Sequence, residues 1–243
     1  MQKLLVAALA ATLLTAAAAH AAVPGSNLGW TNCGITPTSE NRVFACDDNA
    51  ATFNLVGSFR VANAIADFVA VSGALDIRVN DAGTPAWWSF STGGCREGAM
   101  AASSVGTLGG CTNPYSGSNQ LGALVIEPSS LGPNYQRIRV DQIRDTPFAL
   151  TANTLYSAFM LQINSSGSFD EGFGGVCAGC ATAACFVLNS LEVFSNADPS
   201  ITFESADVRS WATYNGGQVG ADICPIGTPT HNRTWGQIKA LYR

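Results

Sequence analysis

Trp87 and Trp88, which follow Pro85 and Ala86, are the residues best suited to contact a sugar. Successive residues of a β-strand point to opposite faces of a sheet, so one of the two indole rings would face solvent. An exposed aromatic ring stacks on the apolar face of a sugar. The alternative interpretation is that both rings pack in the core, one of them beneath a loop.

A second candidate binding surface is a polar strand face formed by Arg137, Arg139 and Asp141, which alternate with Ile138 and Val140. The alternation places the two guanidinium groups and the carboxylate on one side of a strand. Such a face can grip an anionic or carboxylated ligand through charge-assisted hydrogen bonds. The alternative is a solvated face whose charges contribute little.

Acidic loops form a candidate calcium site, because Ca²⁺ prefers several clustered oxygen ligands. The candidate ligands are Asp47, Asp48, Asp81, Asp170 and Glu171. The alternative is turn chemistry, in which an Asp side chain accepts a hydrogen bond from the backbone of its own loop. Calcium is the one cofactor that the sequence suggests.

Catalytic signatures are absent from the sequence, which contains no G-x-S-x-G, G-x-G-x-x-G, phosphate-binding loop or H-E-x-x-H motif. Beyond residue 21 the chain has a single histidine, His231, so a Ser-His-Asp site would have to use it. Glycan hydrolysis needs only two carboxylates. The candidate acid pairs are Glu192 with Glu204, Asp47 with Asp48, and Asp170 with Glu171.

The first 21 residues are typical of a secretory signal peptide. Lys3 precedes an apolar run over residues 4–19, and Ala19-His20-Ala21 forms a small-x-small cleavage site. No later stretch is long and apolar enough for a membrane helix. The sequence therefore predicts export, to the periplasm or the extracellular space, of one domain over residues 22–243.

Eight cysteines lie beyond the signal peptide: Cys33, Cys46, Cys95, Cys111, Cys177, Cys180, Cys185 and Cys224. An even number of cysteines in an exported chain predicts disulfides. Proximity in sequence favours Cys33 with Cys46, Cys95 with Cys111 and Cys180 with Cys185. The remaining pair, Cys177 with Cys224, would tie the C-terminal tail to the body of the domain. A metal site or a redox role for the Cys177-x-x-Cys180 pair is the less favoured alternative.

Period-two alternation dominates the remainder of the chain and predicts about ten short strands separated by Gly, Asn, Ser, Asp and Pro turns. The predicted strands are 52–60, 67–72, 75–80, 86–90, 121–127, 136–144, 156–164, 185–194, 200–204 and 208–214. This pattern indicates a single antiparallel β-sandwich or a jelly-roll-like domain. Helical spacing of Trp235, Ile238 and Leu241 predicts a short docked helix over residues 232–243.

Composition excludes other classes of protein. The chain carries 12 Lys and Arg against 17 Asp and Glu, a formal charge of −5, and has no basic run. Nucleic acids and anionic membranes are therefore poor partners. Charged residues make up only 12% and hydrophobic residues 47% of the chain, which argues against disorder.

Four segments together resemble a group of small secreted bacterial hypothetical proteins. They are the TWGQIKALYR end at residues 234–243, the CxxxxCFVLNS stretch from Cys180, the PAWWSF stretch at residues 85–90 and the early Trp30-x-x-Cys33-Gly34. The resemblance implies secretion, disulfides and a single β domain, and it carries no activity.

Three functional hypotheses follow from these features. The first is a non-catalytic module that binds carbohydrate or a cell surface through Trp87 and Trp88 or the polar strand face. The second is a structural subunit of an extracellular matrix or filament, which accepts partner strands at its sheet edges. The third is a glycan hydrolase that uses paired carboxylates.

Overall fold

A computed structural model of the protein describes residues 24–34, 36–103, 105–106, 108–128, 131–169 and 176–216. The predicted signal peptide, His231 and the predicted C-terminal helix lie outside these residues. Within the described part of the chain, no helix is long and apolar enough to cross a membrane.

The described residues form eleven strands and two single turns of 3₁₀-helix. The strands are β1 Gly25–Trp30, β2 Asn41–Arg42, β3 Thr52–Arg60, β4 Ile65–Val79, β5 Met100–Ser103, β6 Gln120–Pro128, β7 Tyr135–Leu150, β8 Leu155–Asn164, β9 Ala184–Ser195, β10 Ile201–Phe203 and β11 Trp211–Tyr214. The 3₁₀ turns cover Pro37–Ser39 and Ala86–Trp88.

The strands build two sheets that pack face to face. One has four strands in the order β1-β3-β8-β5, and the other has seven, in the order β2-β11-β9-β4-β7-β6 with β10 paired to β9. Among the described named strands the pairs are antiparallel except for β2 with β11. The predicted antiparallel β-sandwich is therefore confirmed.

Alternating apolar residues place the core between the two sheets. Phe53, Leu55 and Phe59 of β3 are buried, as the period-two pattern predicts. Phe159 of β8 lies centrally, and its ring occupies the space beside two glycines. A Cβ atom at Gly57 would come within 2.4 Å of this ring, and one at Gly73 within 2.8 Å. Both glycines are therefore needed for the sheets to close on Phe159.

Several predicted strand bounds are wrong. The strand predicted over 136–144 extends to Leu150 in β7, and of residues 208–214 only Trp211–Tyr214 form a strand. Residues 67–72 and 75–80 were predicted as separate strands and belong to the single long strand β4, which passes Gly73 without a turn. Residues 86–90 do not form a strand, because Ala86–Trp88 is a 3₁₀ turn after Pro85.

Period-two alternation does not predict strand β1, because its sequence GSNLGW is rich in Gly, Ser and Asn and does not alternate. All six residues of Gly25–Trp30 are nevertheless buried. The buried side chain of Asn27 is tolerated there because its polar atoms are hydrogen-bonded. Its Oδ1 accepts hydrogen bonds from the backbone N–H groups of Val208 and Arg209 at 2.7 and 3.1 Å.

The disulfides join distant segments of the chain. The observed pairs are Cys33 with Cys111, Cys46 with Cys180, and Cys95 with Cys177, separated by 78, 134 and 82 residues. Cys185 is also disulfide-bonded, and Cys224 lies outside the described residues. All four predicted pairs are wrong, because the folded sheets bring together loops that are far apart in sequence.

Candidate functional site

On the outer face of the seven-stranded sheet, the central strand β4 carries a row of small side chains. Gly73 faces the core, since a Cβ atom there would meet the side chains of Phe159 and Val140. Its neighbours Ser72 and Ala74 therefore point outward, and both are half-buried. These small side chains on β4 thus form the floor of a groove whose flanking side chains on β7 and β9 are longer, except for Ser190.

Strand register defines the walls of this groove, which we call the outer trough. Across the sheet, Ala70 aligns with Ile143 and Phe194, Ser72 with Asp141 and Glu192, and Ala74 with Arg139 and Ser190. The floor therefore consists of Ala70, Ser72 and Ala74, with β7 and β9 each supplying three wall residues. Over these five residues of β4 the trough is about 13 Å long.

The two carboxylates of the trough face each other across a hydroxyl group. Asp141 on β7 and Glu192 on β9 both align with Ser72. Adjacent strands are about 4.8 Å apart, so the Cα atoms of Asp141 and Glu192 lie about 10 Å apart. Glu192 Oε1 accepts a hydrogen bond from Ser200 Oγ at 2.5 Å. The carboxylates provide acceptors on both sides of the floor.

A rigid ion-pair cluster lies on the same sheet face, two residues beyond Ala74 on β4. Arg137 donates two hydrogen bonds to Asp76, from Nε to Oδ1 at 2.9 Å and from Nη2 to Oδ2 at 2.8 Å. Asn189 Nδ2 donates to the same Oδ2 at 2.8 Å. The hydrogen bonds to Asp76 raise the pKa of Arg137. Its charge is therefore already paired, and it serves to fix this end of the groove.

Arg139 provides the cation of the trough, because it is exposed and donates no hydrogen bond within the described residues. The opposite end of the trough is apolar. Ile143 is 47% exposed and Phe194 is half-buried, and both flank Ala70. The trough thus grades from a charged end near Arg139 to an apolar end with one aromatic ring.

Three of the predicted ligand-binding residues lie together on this face. Arg137, Arg139 and Asp141 share one side of β7, as their alternation predicts. Sequence reasoning missed Ser72 and Phe194 as members of the same surface. The strands that contain them were predicted, but nothing in the sequence shows that β4 lies between β7 and β9.

Trp87 and Trp88 are core residues, each with 0% exposed surface. Trp87 Nε1 donates to Ser168 Oγ at 2.8 Å, and Trp88 Nε1 donates to the carbonyl oxygen of Thr182 at 3.2 Å. Because these rings lie in a 3₁₀ turn, the strand alternation that would have exposed one of them does not apply. Neither ring can stack on a ligand at the surface of this fold.

The predicted calcium ligands do not converge within the described residues. Asp47 is exposed, Asp48 Oδ1 accepts from the Ala50 N–H at 2.7 Å, and Asp81 Oδ1 accepts from the Ala82 N–H at 2.7 Å. The Asp48 and Asp81 contacts are turn chemistry. Across the described ranges, no three His, Cys, Asp or Glu side chains form a group that could hold a metal ion. Asp170 and Glu171 lie outside those ranges.

One of the predicted acid pairs is Glu192 with Glu204, and only Glu192 belongs to the trough. Glu192 aligns with Thr202 of β10, and Glu204 lies one residue beyond the end of that strand. The carboxylate that shares a row with Glu192 is instead Asp141.

The outer trough therefore combines facing hydrogen-bond acceptors, an exposed guanidinium group and an apolar end on one sheet face. This arrangement suits an extended ligand that has both hydroxyl groups and apolar faces. The chain matches no family model, no curated protein and no solved structure.

Proposed function

We propose that the protein is an exported, non-catalytic binding module that holds a carbohydrate chain in the outer trough. The single observation that carries this proposal is the row in which Asp141 and Glu192 face each other across Ser72. Sugar hydroxyl groups donate to the two carboxylates and accept from Arg139. The apolar face of a neighbouring sugar ring packs against Phe194 and Ile143.

The proposal rests on the shape of the surface as well as on its chemistry. A floor of Ala and Ser residues lets an extended chain approach the sheet backbone closely. The ion pair of Asp76 with Arg137 orders one end before ligand arrives, which lowers the entropic cost of binding. Export is supported by the three long-range disulfides and by the apolar run over residues 4–19.

The test uses the protein secreted by cells that express the full chain, incubated with a panel of insoluble and soluble polysaccharides. Retention on each polysaccharide and release of reducing sugars are measured together, with added Ca²⁺ and with a chelator. We expect saturable retention on at least one polysaccharide without released sugars. Released sugars would make the protein a hydrolase, and absence of retention across the panel would contradict the proposal.

Variants locate the binding surface. The double variant Asp141→Asn with Glu192→Gln keeps the size of both side chains and removes both charges, so we expect retention to fall at least about tenfold. The matched control is Asp47→Asn with Asp81→Asn, which removes two carboxylates from exposed loops. Retention lost in the control and kept in the trough variant would place the site in the acidic loops.

A further inference from the structure

The sandwich has a second concave surface at one edge, where the two sheets separate. β5 is the last strand of the four-stranded sheet, and β6 is the last strand of the seven-stranded sheet. A cleft of about 460 Å³ lies between them. Its apolar lining includes Phe90, Met100, Leu124 and Ile126. The trough lies on the outer face of the larger sheet, so the two surfaces are separate.

Two glutamines link β5 and the segment after it to the larger sheet. Gln142 Nε2 donates to the carbonyl oxygen of Ser103 at 3.1 Å, and Gln120 Oε1 accepts from the Val105 N–H at 3.0 Å. Gly122 makes room for the first bridge, because a Cβ atom there would lie 2.6 Å from Gln142 Nε2. The edge of β6 is therefore covered near Gln120 and opens toward Ile126.

The features that prevent strand addition lie at the two ends of β6, where the glutamine bridges cover Gln120 and where Glu127 and Pro128 end the strand. Residues 120–126 contain no charge and no proline, and the pairing of β6 with β7 continues without a bulge. Leu121 and Val125 are 72% and 49% exposed. Within the described strands, β6 pairs with β7 alone and β5 with β8 alone. Between these ends, residues 123–126 of β6 present an open backbone edge beside the cleft, and such an edge is a template for another strand.

The charge that lines the cleft is negative. Glu97 is the one charged residue of its lining, and its Oε2 accepts a hydrogen bond from the Gly93 N–H at 2.8 Å. The Glu97 carboxylate therefore favours an occupant that brings a positive charge.

We infer that the edge cleft binds an extended polypeptide segment in which aliphatic residues alternate with Lys or Arg. The segment adds as a strand to the open part of the β6 edge and forms main-chain hydrogen bonds there. Alternate side chains then point between the sheets, where the aliphatic groups contact Met100, Leu124 and Ile126. A flanking cation reaches the Glu97 carboxylate.

The test uses an array of immobilised seven-residue peptides in which Val, Leu or Phe alternates with Lys. The secreted protein is applied at about 0.15 M salt, where the screening length is about 8 Å. A second array carries Glu in place of Lys, and a third carries Lys with N-methylated backbone amides. We expect retention on the first array alone. Absence of retention on the Lys array, or equal retention on the N-methylated array, would overturn the inference.

Two exposed positions locate the binding site. Glu97→Gln keeps an acceptor for the Gly93 N–H, and we expect it to weaken binding about two- to fivefold, as an exposed ion pair contributes. Ala101→Arg places bulk and positive charge in the cleft, and we expect a loss of about tenfold or more. Thermal unfolding verifies that both variants fold. Peptide binding unchanged in both folded variants would contradict this location, whatever the outcome for polysaccharides.

Discussion

Trp87 is a large aromatic side chain that lies in a loop-rich segment and is nevertheless fully buried in the core. Its ring lies 4.9 Å from that of Trp88 between centroids, and the Arg96 guanidinium carbon lies 3.7 Å from the Trp87 ring centroid. Arg96 is itself buried, and desolvation lowers its pKa to about 9. The guanidinium group donates to the carbonyl oxygens of Trp87 and Asn164. This cluster supports the loop that carries Cys95.

Trp87→Ala should therefore act on stability. Removing a fully buried indole costs about 3 to 5 kcal/mol of unfolding free energy. The matched control Arg139→Ala, at an exposed strand position, should change stability by no more than about 0.5 kcal/mol. Urea unfolding measures both, and Trp87→Phe serves if the alanine variant does not fold. Equal stability of Trp87→Ala and the control would contradict the core assignment.

Asp145 gives a prediction about pH. Ser118 Oγ donates to its Oδ1 at 2.6 Å and Asn119 Nδ2 to its Oδ2 at 2.5 Å, and these hydrogen bonds lower the pKa of the carboxyl group. Because the folded pKa lies below the unfolded value of about 4, the stabilisation is present above that value. It is lost as the pH falls through the lower folded pKa.

Ser118→Ala should therefore raise the pKa of Asp145 toward the ordinary aspartate value. An NMR titration of the Asp145 carboxyl carbon in both proteins measures this shift. Ser91→Ala, in a loop remote from Asp145 in sequence, is the control. The same Asp145 pKa in the wild type and in Ser118→Ala would show that the hydroxyl group does not stabilise the carboxylate.

At the scale of elements, the two sheets meet at Phe159, between Gly57 and Gly73. Gly73→Ala should destabilise the protein by about 1 to 3 kcal/mol, because the new methyl group enters the space of the ring. Phe159→Leu reduces the side chain, and the double variant should recover part of the loss. A double-mutant cycle by urea unfolding gives the coupling energy. Additive effects would mean that the ring and the glycine do not share this space.

The sequence predicts many strands correctly because a strand with one buried face alternates apolar and polar residues. Thr52–Arg60 was predicted to the residue, and Tyr156 to Asn164 lies within β8. Strand order is a long-range property that this alternation does not encode. Asp141 and Glu192 therefore meet across Ser72 without any local sign in the sequence.

At the scale of the whole molecule, three disulfides close loops of 78, 134 and 82 residues. In the chain-entropy model each such closure stabilises the fold by about 4 to 5 kcal/mol. Pairing by proximity fails here because β-sandwich connections cross between sheets, so neighbouring loops in space come from distant parts of the chain.

Non-reducing peptide mapping should recover linked peptides that join Cys33 to Cys111, Cys46 to Cys180, and Cys95 to Cys177. Reduction should lower the thermal midpoint, since the cross-links that restrict the unfolded chain are removed. Linked peptides that join Cys33 to Cys46 or Cys95 to Cys111 in the native protein would contradict the observed topology.

If the outer trough binds an extended glycan, blocking its floor should abolish binding. Ser72→Arg fills the groove between Asp141 and Glu192 while leaving both carboxylates in place. Thr52→Arg is the matched control at an exposed position on the four-stranded sheet. The measurement is the dissociation constant for the polysaccharide that retains the wild-type protein. We predict that Ser72→Arg binds at least about tenfold more weakly than the wild type and that Thr52→Arg binds with unchanged affinity. Equal affinity of all three proteins would contradict binding in the trough.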